Sequence, residues 1–358
     1  MYNLGPGMMD AVAEAIPAKR RQVEVQRVSP RALNGQRQVL ILGRGKFAKA
    51  CWETLYPDRE FSRRVIGFVE NTNGCVEECV NDPGIVGTFD ELPELVERYK
   101  VGMIVVCLDD HRSALPIQML LDLKVAGIEV VDGHRLFEEF TGRLSIDSLR
   151  PSALIFSSGF KRQRMTMIVK RFFDVFLAGL SLLVTAPFLL LVACLIALDS
   201  PGPVFYRQLR VGLNAQPFTI LKFRSMSNDA EVNGPRWAEA KDPRVSRVGQ
   251  WMRKWRIDEI PQFMNVLKGE MSIVGPRPER PVFVQELSKT IPYYDIRHTV
   301  RPGITGWAQV MFRYASSQED SHFKLQYDLY YVKNLSAWLD IKTLVKTIRV
   351  LVKGEGAR

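Results

Sequence analysis

Two adjacent carboxylates, Asp258 and Glu259, sit in the cation-rich run "RKWRIDEIPQ", Arg253 to Gln262. Arg253, Lys254 and Arg256 precede them, and Pro261 follows. Two roles suit such a pair. Aspartate is a good helix N-cap, proline is tolerated in a first helical turn, and negative charge suits the positive end of a helix. Alternatively, a carboxylate kept ionised by neighbouring arginines can attack phosphorus or hold a divalent ion through its oxygens. The short run by itself leaves both open.

Residues on either side point towards phosphate. In "MSIVGPRPER", the prolines of Gly275-Pro276-Arg277-Pro278 stiffen the backbone around one arginine, whose guanidinium fork matches phosphate oxygens. "HTVRPGITGWAQV" sets Arg301 ahead of Pro302-Gly303, and Lys222 and Arg224 close "TILKFRSM". Cations on stiff backbone around two carboxylates form a mixture that suits a diphosphate with Mg²⁺. The basic stretch 236–256, with Trp237, Trp251 and Trp255, could instead track a nucleic-acid backbone and stack bases. No helix-turn-helix or zinc-finger pattern accompanies it, so nucleic acid is set aside as a partner.

These residues need elements to position them. "PVFYRQLRVG" and "PFTILKFRSM" alternate like two strands joined by "LNAQ", and "EIPQFMNVLKGE" reads as a helix ended by Gly269. Ahead of them runs an apolar segment, 172–198, in which only Asp174 is charged. It is long enough to cross a bilayer of about 30 Å as a helix. Pro187 lies within it, and basic residues flank both ends: Lys161, Arg162, Arg164, Lys170 and Arg171 before, Arg207, Arg210, Lys222 and Arg224 after. Cations on both sides favour a bent, re-entrant segment over a straight span. Near the C-terminus, "LSAWLDIKTLVKTIRVLVKG" is amphipathic, with Trp338, Ile341, Leu344, Val345, Ile348, Leu351 and Val352 on one face and Lys342, Lys346, Arg349 and Lys353 on another. Such a helix lies in a membrane interface or packs on a core.

The chain has 358 residues, 46% of them hydrophobic, and a net charge of +10. That length accommodates two domains, and the basic excess suits anionic membrane or a phosphorylated substrate. Residues 36–150 read as an α/β domain with a parallel sheet. "QVLIL", "RRVIGFVEN", "GMIVVCLDD" and "IEVVDG" are strand-like, and helical segments separate them, one opened by Asp90. Gly43, Gly45 and Ala48 form G-x-G-x-x-A at the first strand-to-helix turn, and Glu70 ends the second strand. A Rossmann-like fold uses such a turn for a dinucleotide, yet small residues there also serve tight packing. Residues 1–35, which carry no signal-peptide pattern, read as a flexible N-terminus and 151–165 as a linker. The five cysteines give no disulfide framework, and Cys75 and Cys79, with only four histidines in the chain, do not read as a zinc site.

From about residue 164 onwards the chain resembles the bacterial sugar transferases, the monotopic polyprenyl-phosphate glycosyl-1-phosphate transferases of exopolysaccharide biosynthesis. The blocks that carry the resemblance are "KRFFDVFLAGLSLLVTAPFLLLVACLIALDSPGPVFYRQLRVGLNAQPFTILKFRSM", "RKWRIDEIPQFMNVLKGEMSIVGPRPE", "RHTVRPGITGWAQV" and "YDLYYVKNLSAWLDIKTLVKT". It implies a membrane-embedded, mostly helical catalytic domain over 166–358, with a re-entrant helix that breaks at Pro187. It implies transfer of a hexose 1-phosphate from a UDP-sugar to undecaprenyl phosphate, with release of UMP, at the cytoplasmic face of the bacterial inner membrane.

Carried onto this sequence, the resemblance makes Asp258 the nucleophile and a Mg²⁺ ligand, with Glu259 assisting the metal or the proton. Lys222, Arg253, Arg277, Arg301, Arg313 and Asp328 become substrate-site residues. Where relatives have a Ser-Pro pair in the membrane helix, this chain has Ala186-Pro187, and Thr185 stands ready to back-bond in the serine's place. Inner-membrane lipid is an expected partner, and a homodimer an expected assembly. The competing reading is a non-catalytic scaffold or nucleotide sensor acting through the first domain.

Overall fold

The computed structural model describes residues 37–71, 83–109, 115–148, 151–161, 163–226, 242–312 and 318–352. Cys75, Cys79, Arg162, Trp237, Arg313, Lys353 and the 1–35 segment lie outside them.

The first domain is built on a five-stranded parallel sheet. In chain order its elements are β1 (Gln38–Leu42), α1 (Lys46–Leu55), α2 (Arg59–Ser62), β2 (Val65–Glu70), β3 (Ile85–Thr88), α3 (Leu92–Tyr99), β4 (Val101–Val106), α4 (Ile117–Val125), β5 (Glu129–Asp132) and α5 (Gly133–Thr141). Strand order is β3-β2-β1-β4-β5. The central strands β1, after its exposed Gln38, and β4 are apolar because helices cover both faces. Val39, Ile41, Met103 and Val105 face one core with α1 and α5; Leu40, Leu42, Ile104 and Val106 face the other with α3. The parallel sheet was legible in the sequence, but β3 was not. It is a short edge strand with no buried residue and a glycine inside it. Helix α3 is preceded by Glu91, not Asp90, and the Glu91 carboxylate accepts from Thr88 N at 2.8 Å.

The second body follows α6 (Pro151–Phe156), so the stretch read as a linker holds a helix. Next comes α7 (Arg164–Asp199), then the hairpin β6 (Phe205–Val211) and β7 (Pro217–Phe223), then α8 (Arg247–Lys254). A 3₁₀ turn, Ile257–Glu259, carries the two carboxylates. The rest comprises α9 (Gln262–Lys268), β8 (Ser272–Val274), α10 (Pro281–Thr290), a 3₁₀ stretch (Tyr294–Thr299), β9 (Gly303–Thr305), α11 (Trp307–Met311), α12 (Gln318–Lys333) and α13 (Ala337–Val352).

Helix α7 is long and apolar enough to cross a membrane by length and composition, and only 11% of its most apolar window is buried. The expected break at Pro187 is not there: the helix runs unbroken through it. Proline removes one backbone donor, and Thr185 Oγ1 donates to Ser181 O at 2.6 Å one turn away. The buried positions Asp174, Ala178, Val192 and Ile196 face the second body, while Phe172, Phe176, Leu183, Val184, Leu190 and Leu198 are exposed.

Several flanking cations turn out to be structural. Lys170 binds Asp340 at 2.8 Å and Val274 O at 3.0 Å, and Arg171 caps Val266 O and Leu267 O at the end of α9. At the other end Arg224 donates to Ser200 O and Ile196 O. These side chains tie both ends of α7 to one body, so their charge is no simple marker of membrane sidedness. Helix α13 turns Trp338, Ile341, Val345, Ile348 and Val352 outward, and Lys342 and Lys346 lie over the buried Trp307 ring at 5.5 and 5.7 Å.

Candidate active site

The dyad sits on a turn that the backbone must strain to make. Arg256, just before it, has φ 57° and ψ 23°, a left-handed conformation that side chains avoid. This ends α8 abruptly and starts the 3₁₀ turn, burying both Asp258 and Glu259. The capping role considered for Asp258 is overturned. Helix α9 begins only at Gln262, after Pro261, and has no side-chain cap. Its end is as expected, at Gly269 with φ 87°.

The two carboxylates have opposite surroundings. Glu259 Oε1 accepts from Arg277 Nη2 at 2.6 Å and from Lys222 Nζ at 2.9 Å, and Arg256 Nη1 approaches Oε2 at 3.3 Å. Burial raises the Glu259 carboxyl, but Arg277, Lys222 and Arg256 together outweigh burial and hold it well below the usual carboxylate range. Glu259 in turn holds the Arg277 guanidinium firmly protonated. Burial pushes the Lys222 ammonium down, with Glu259 opposing. Asp258 accepts no hydrogen bond and makes no ion pair with any described residue. Its carboxyl is raised, first by burial and then by Glu259, against the pull of Lys222, Arg253 and Arg256. The arginines were expected to keep Asp258 readily ionised; burial and the neighbouring Glu259 outweigh them.

Two rigid segments aim Arg277. Strand β8 pairs in parallel with β9, Ser272 against Gly303 and Val274 against Thr305. The pairing is so close that a Cβ at Gly275 would lie 2.4 Å from Arg301 O, and one at Gly303 would lie 2.1 Å from Gly275 N. Gly275 N donates to Thr305 O and Gly303 N to Pro276 O, both at 2.9 Å. The "VGPRP" and "RPGITG" motifs are therefore two halves of one backbone scaffold, and the proline-flanked turn emerges from it with Arg277 directed at Glu259.

The sequence-derived residues divide into three groups. Lys222, Arg277, Asp258 and Glu259 converge, and Arg253 acts on Asp258 through its charge while its Nε donates to Ser225 Oγ at 3.0 Å. Arg301 goes elsewhere: its Nε donates to Gly269 O at 2.9 Å, at the end of α9 away from the dyad. Asp328 is buried and pairs with Arg297 at 2.9 Å. Sequence reasoning missed Arg256 as a partner of Glu259 and Arg297 as the partner of Asp328. Arg256 was visible three positions before Glu259, and Arg297 opens the run "RHTVRPG".

A divalent ion must be judged on the available oxygens. Both Glu259 oxygens are taken by cations, which argues against Glu259 as a metal ligand. Asp258 has free oxygens, and among the described residues no group of three or more ligating side chains surrounds it. One carboxylate fits Mg²⁺, which is commonly held by one or two carboxylates plus substrate phosphates and water.

In the first domain, Gly43, Gly45 and Ala48 lie at the turn from β1 into α1, and Glu70 ends β2. The amides that open α1 are already occupied. Asp109 Oδ2 accepts from Lys46 N at 2.8 Å and Oδ1 from Phe47 N at 3.0 Å. A Cβ at Gly45 would lie 2.1 Å from Asp109 Oδ2, so the glycine accommodates an internal carboxylate.

The family model described as Bacterial sugar transferase matches residues 165–354, more than half of the chain. A UDP-N-acetylgalactosamine-undecaprenyl-phosphate N-acetylgalactosaminephosphotransferase of Aeromonas hydrophila is 45% identical over 250 residues, covering 70% of this chain and 58% of the relative. An undecaprenyl-phosphate glucose phosphotransferase of Komagataeibacter xylinus is 33% identical over 322 residues, covering 87% of this chain and 58% of the relative. A UDP-glucose:undecaprenyl-phosphate glucose-1-phosphate transferase of Escherichia coli K12 is 42% identical over 186 residues, covering 51% of this chain and 39% of the relative. The chain thus spans little more than half the length of the first two relatives and less of the third. The matched region contains the whole convergent cluster, from Lys222 through Asp258, Glu259 and Arg277, and the chain belongs to the bacterial sugar transferase family.

Proposed function

We propose that the chain transfers a sugar 1-phosphate from a UDP-sugar to undecaprenyl phosphate, through a covalent intermediate on Asp258. The observation that carries this is the contrast within the dyad: a buried Asp258 with unengaged oxygens beside a Glu259 engaged by three cations. A nucleophile needs free lone pairs, and an orienting group needs fixed partners.

In the first displacement an Asp258 oxygen attacks the sugar-bearing phosphorus of the UDP-sugar. The bond from that phosphorus to the bridging oxygen breaks, and UMP leaves with that oxygen. The product is an acyl phosphate joining Asp258 to the sugar phosphate. In the second displacement a phosphate oxygen of undecaprenyl phosphate attacks the same phosphorus. The acyl bond breaks, Asp258 is regenerated as a carboxylate, and undecaprenyl-diphosphate-sugar is formed.

Burial of Asp258 keeps water from competing with the lipid acceptor. Arg277 and Lys222, which converge on Glu259, and Arg253, whose charge acts on Asp258, would neutralise phosphate oxygens brought to the dyad. Asp258 would hold Mg²⁺ together with substrate phosphates, and the ion would supply further charge neutralisation when bound.

The membrane reading rests on α7. Its exposed apolar faces suit lipid, and both its ends are tied to one body by Lys170, Arg171 and Asp174 at one end and Arg224 at the other. That tethering, with α7 unbroken, supports a helix held against one membrane face with its apolar side in lipid, the face being the cytoplasmic one of the inner membrane. Asp258→Asn keeps shape and removes the nucleophile, so it is expected to abolish UMP release in purified, folded protein given a panel of UDP-sugars and undecaprenyl phosphate. Release at near wild-type rate would overturn the assignment.

A further inference from the structure

We infer that Arg297 and Asp328 form a buried positioning pair that sets the height of Arg277, and that neither touches substrate. The inference rests on the reading of Arg277 as a phosphate-handling residue. Arg297 lies in the 3₁₀ stretch Tyr294–Thr299 and Asp328 on α12, and both are buried. One guanidinium makes three directed contacts. Nη1 donates to Tyr294 OH at 2.7 Å, and Nη2 donates to the Arg277 backbone carbonyl at 2.8 Å and pairs with Asp328 Oδ2 at 2.9 Å. Arg277 then reaches forward to Glu259 Oε1 at 2.6 Å. The order is therefore Asp328, Arg297, the Arg277 backbone, the Arg277 side chain, Glu259. Arg277 keeps 31% of its side chain accessible, while Arg297 keeps 6% and Asp328 3%. Substrate can reach the first and not the other two.

The geometry explains why an arginine stands at 297. A planar fork meets a hydroxyl, a carbonyl and a carboxylate at once, and a single ammonium cannot span them. The Asp328 carboxyl is pushed up by burial, and Arg297 and Lys324 oppose this. The pair is thus a desolvated ion pair whose specific use is direction.

The test is a double-mutant cycle in the full chain, in membranes, with UMP release from UDP-sugar and undecaprenyl phosphate as the readout. Arg297→Lys keeps the charge and loses the fork. It is expected to lower the rate roughly tenfold alone, and to add less than about twofold in an Arg277→Lys background, because its route to the chemistry runs through Arg277. A near wild-type rate for Arg297→Lys overturns the inference, since charge alone would then suffice. Independent, multiplicative losses also overturn it and leave the Arg277 reading standing. An Arg277→Lys variant at wild-type rate beside an impaired Arg297→Lys overturns both. If Arg297→Lys does not accumulate folded, Tyr294→Phe, which removes one anchor of the fork, replaces it in the cycle with the same outcomes.

Discussion

Asp258 and Glu259 are adjacent and chemically alike, yet the fold gives one free oxygens and the other three cations. Their residue types and the surrounding arginines were legible in the sequence. Their division of labour was suspected there but not derivable, because it depends on which cations the chain brings back from β7 and from the turn after β8. The asymmetry has a pH consequence. On the proposed mechanism Asp258 must be ionised to attack, and its carboxyl is raised by burial and by Glu259. The rate is therefore expected to fall, as pH drops, at a higher pH than for an ordinary aspartate, near 3.9. Arg256 opposes that shift. Arg256→Gln is expected to raise the Asp258 pKa further and move the acid limb of UMP release to higher pH. A limb that stays put or moves lower would contradict this account of the electrostatics.

At the scale of elements, the strands and helices around the site were readable where a pattern was strong. The β6–β7 hairpin alternates, α9 stops at a glycine, and α7 is a long apolar run. What the sequence could not convey was contact between distant segments. The "VGPRP" and "RPGITG" motifs read separately as stiff turns, while the fold presses them together through Gly275 and Gly303. A Cβ at Gly275 meets backbone, which cannot swing away as a side chain could. Gly275→Ala is expected to cost about 1–3 kcal/mol of stability by overpacking. It should also lower turnover roughly tenfold or more by displacing Arg277, read as a lower thermal midpoint together with slower UMP release. The unbroken α7 has a similar lesson. Pro187 does not break it, since one missing donor in an otherwise apolar helix leaves the rest of its ladder intact.

For the whole molecule, the first domain is bound to the second body more closely than a linker between 151 and 165 would require. Lys333 on α12 pairs with buried Glu138 on α5 at 2.7 and 2.8 Å. Trp307 Nε1 donates to Gly142 O at 2.8 Å, and Leu144 N donates to Gln326 O at 3.1 Å. Leu144 and Ile146 belong to the same cluster as Leu325 and Leu329. Helix α12 is covered by the first domain along one side and carries Asp328 on another. No strand period or glycine motif announces such an interface; Glu138 and Lys333 are 195 positions apart. Glu138→Gln leaves a buried ammonium without its counter-charge and is expected to cost about 3–5 kcal/mol, seen in chemical denaturation. An apolar pair, Glu138→Leu with Lys333→Met, should recover most of that loss. The turn that resembled a dinucleotide site holds Asp109 instead, which makes bracing the part of the first domain's work that is visible in its contacts.

The central claim is that Asp258 carries the covalent step, and one measurement tests it most directly. Purified full chain is incubated with UDP-sugar and Mg²⁺ in the absence of undecaprenyl phosphate, and its peptides are analysed by mass spectrometry. The account predicts a sugar-phosphate adduct on the peptide containing Asp258, discharged by added undecaprenyl phosphate and absent in Asp258→Asn. An adduct on another residue, or undiminished UMP release by Asp258→Asn, would contradict it.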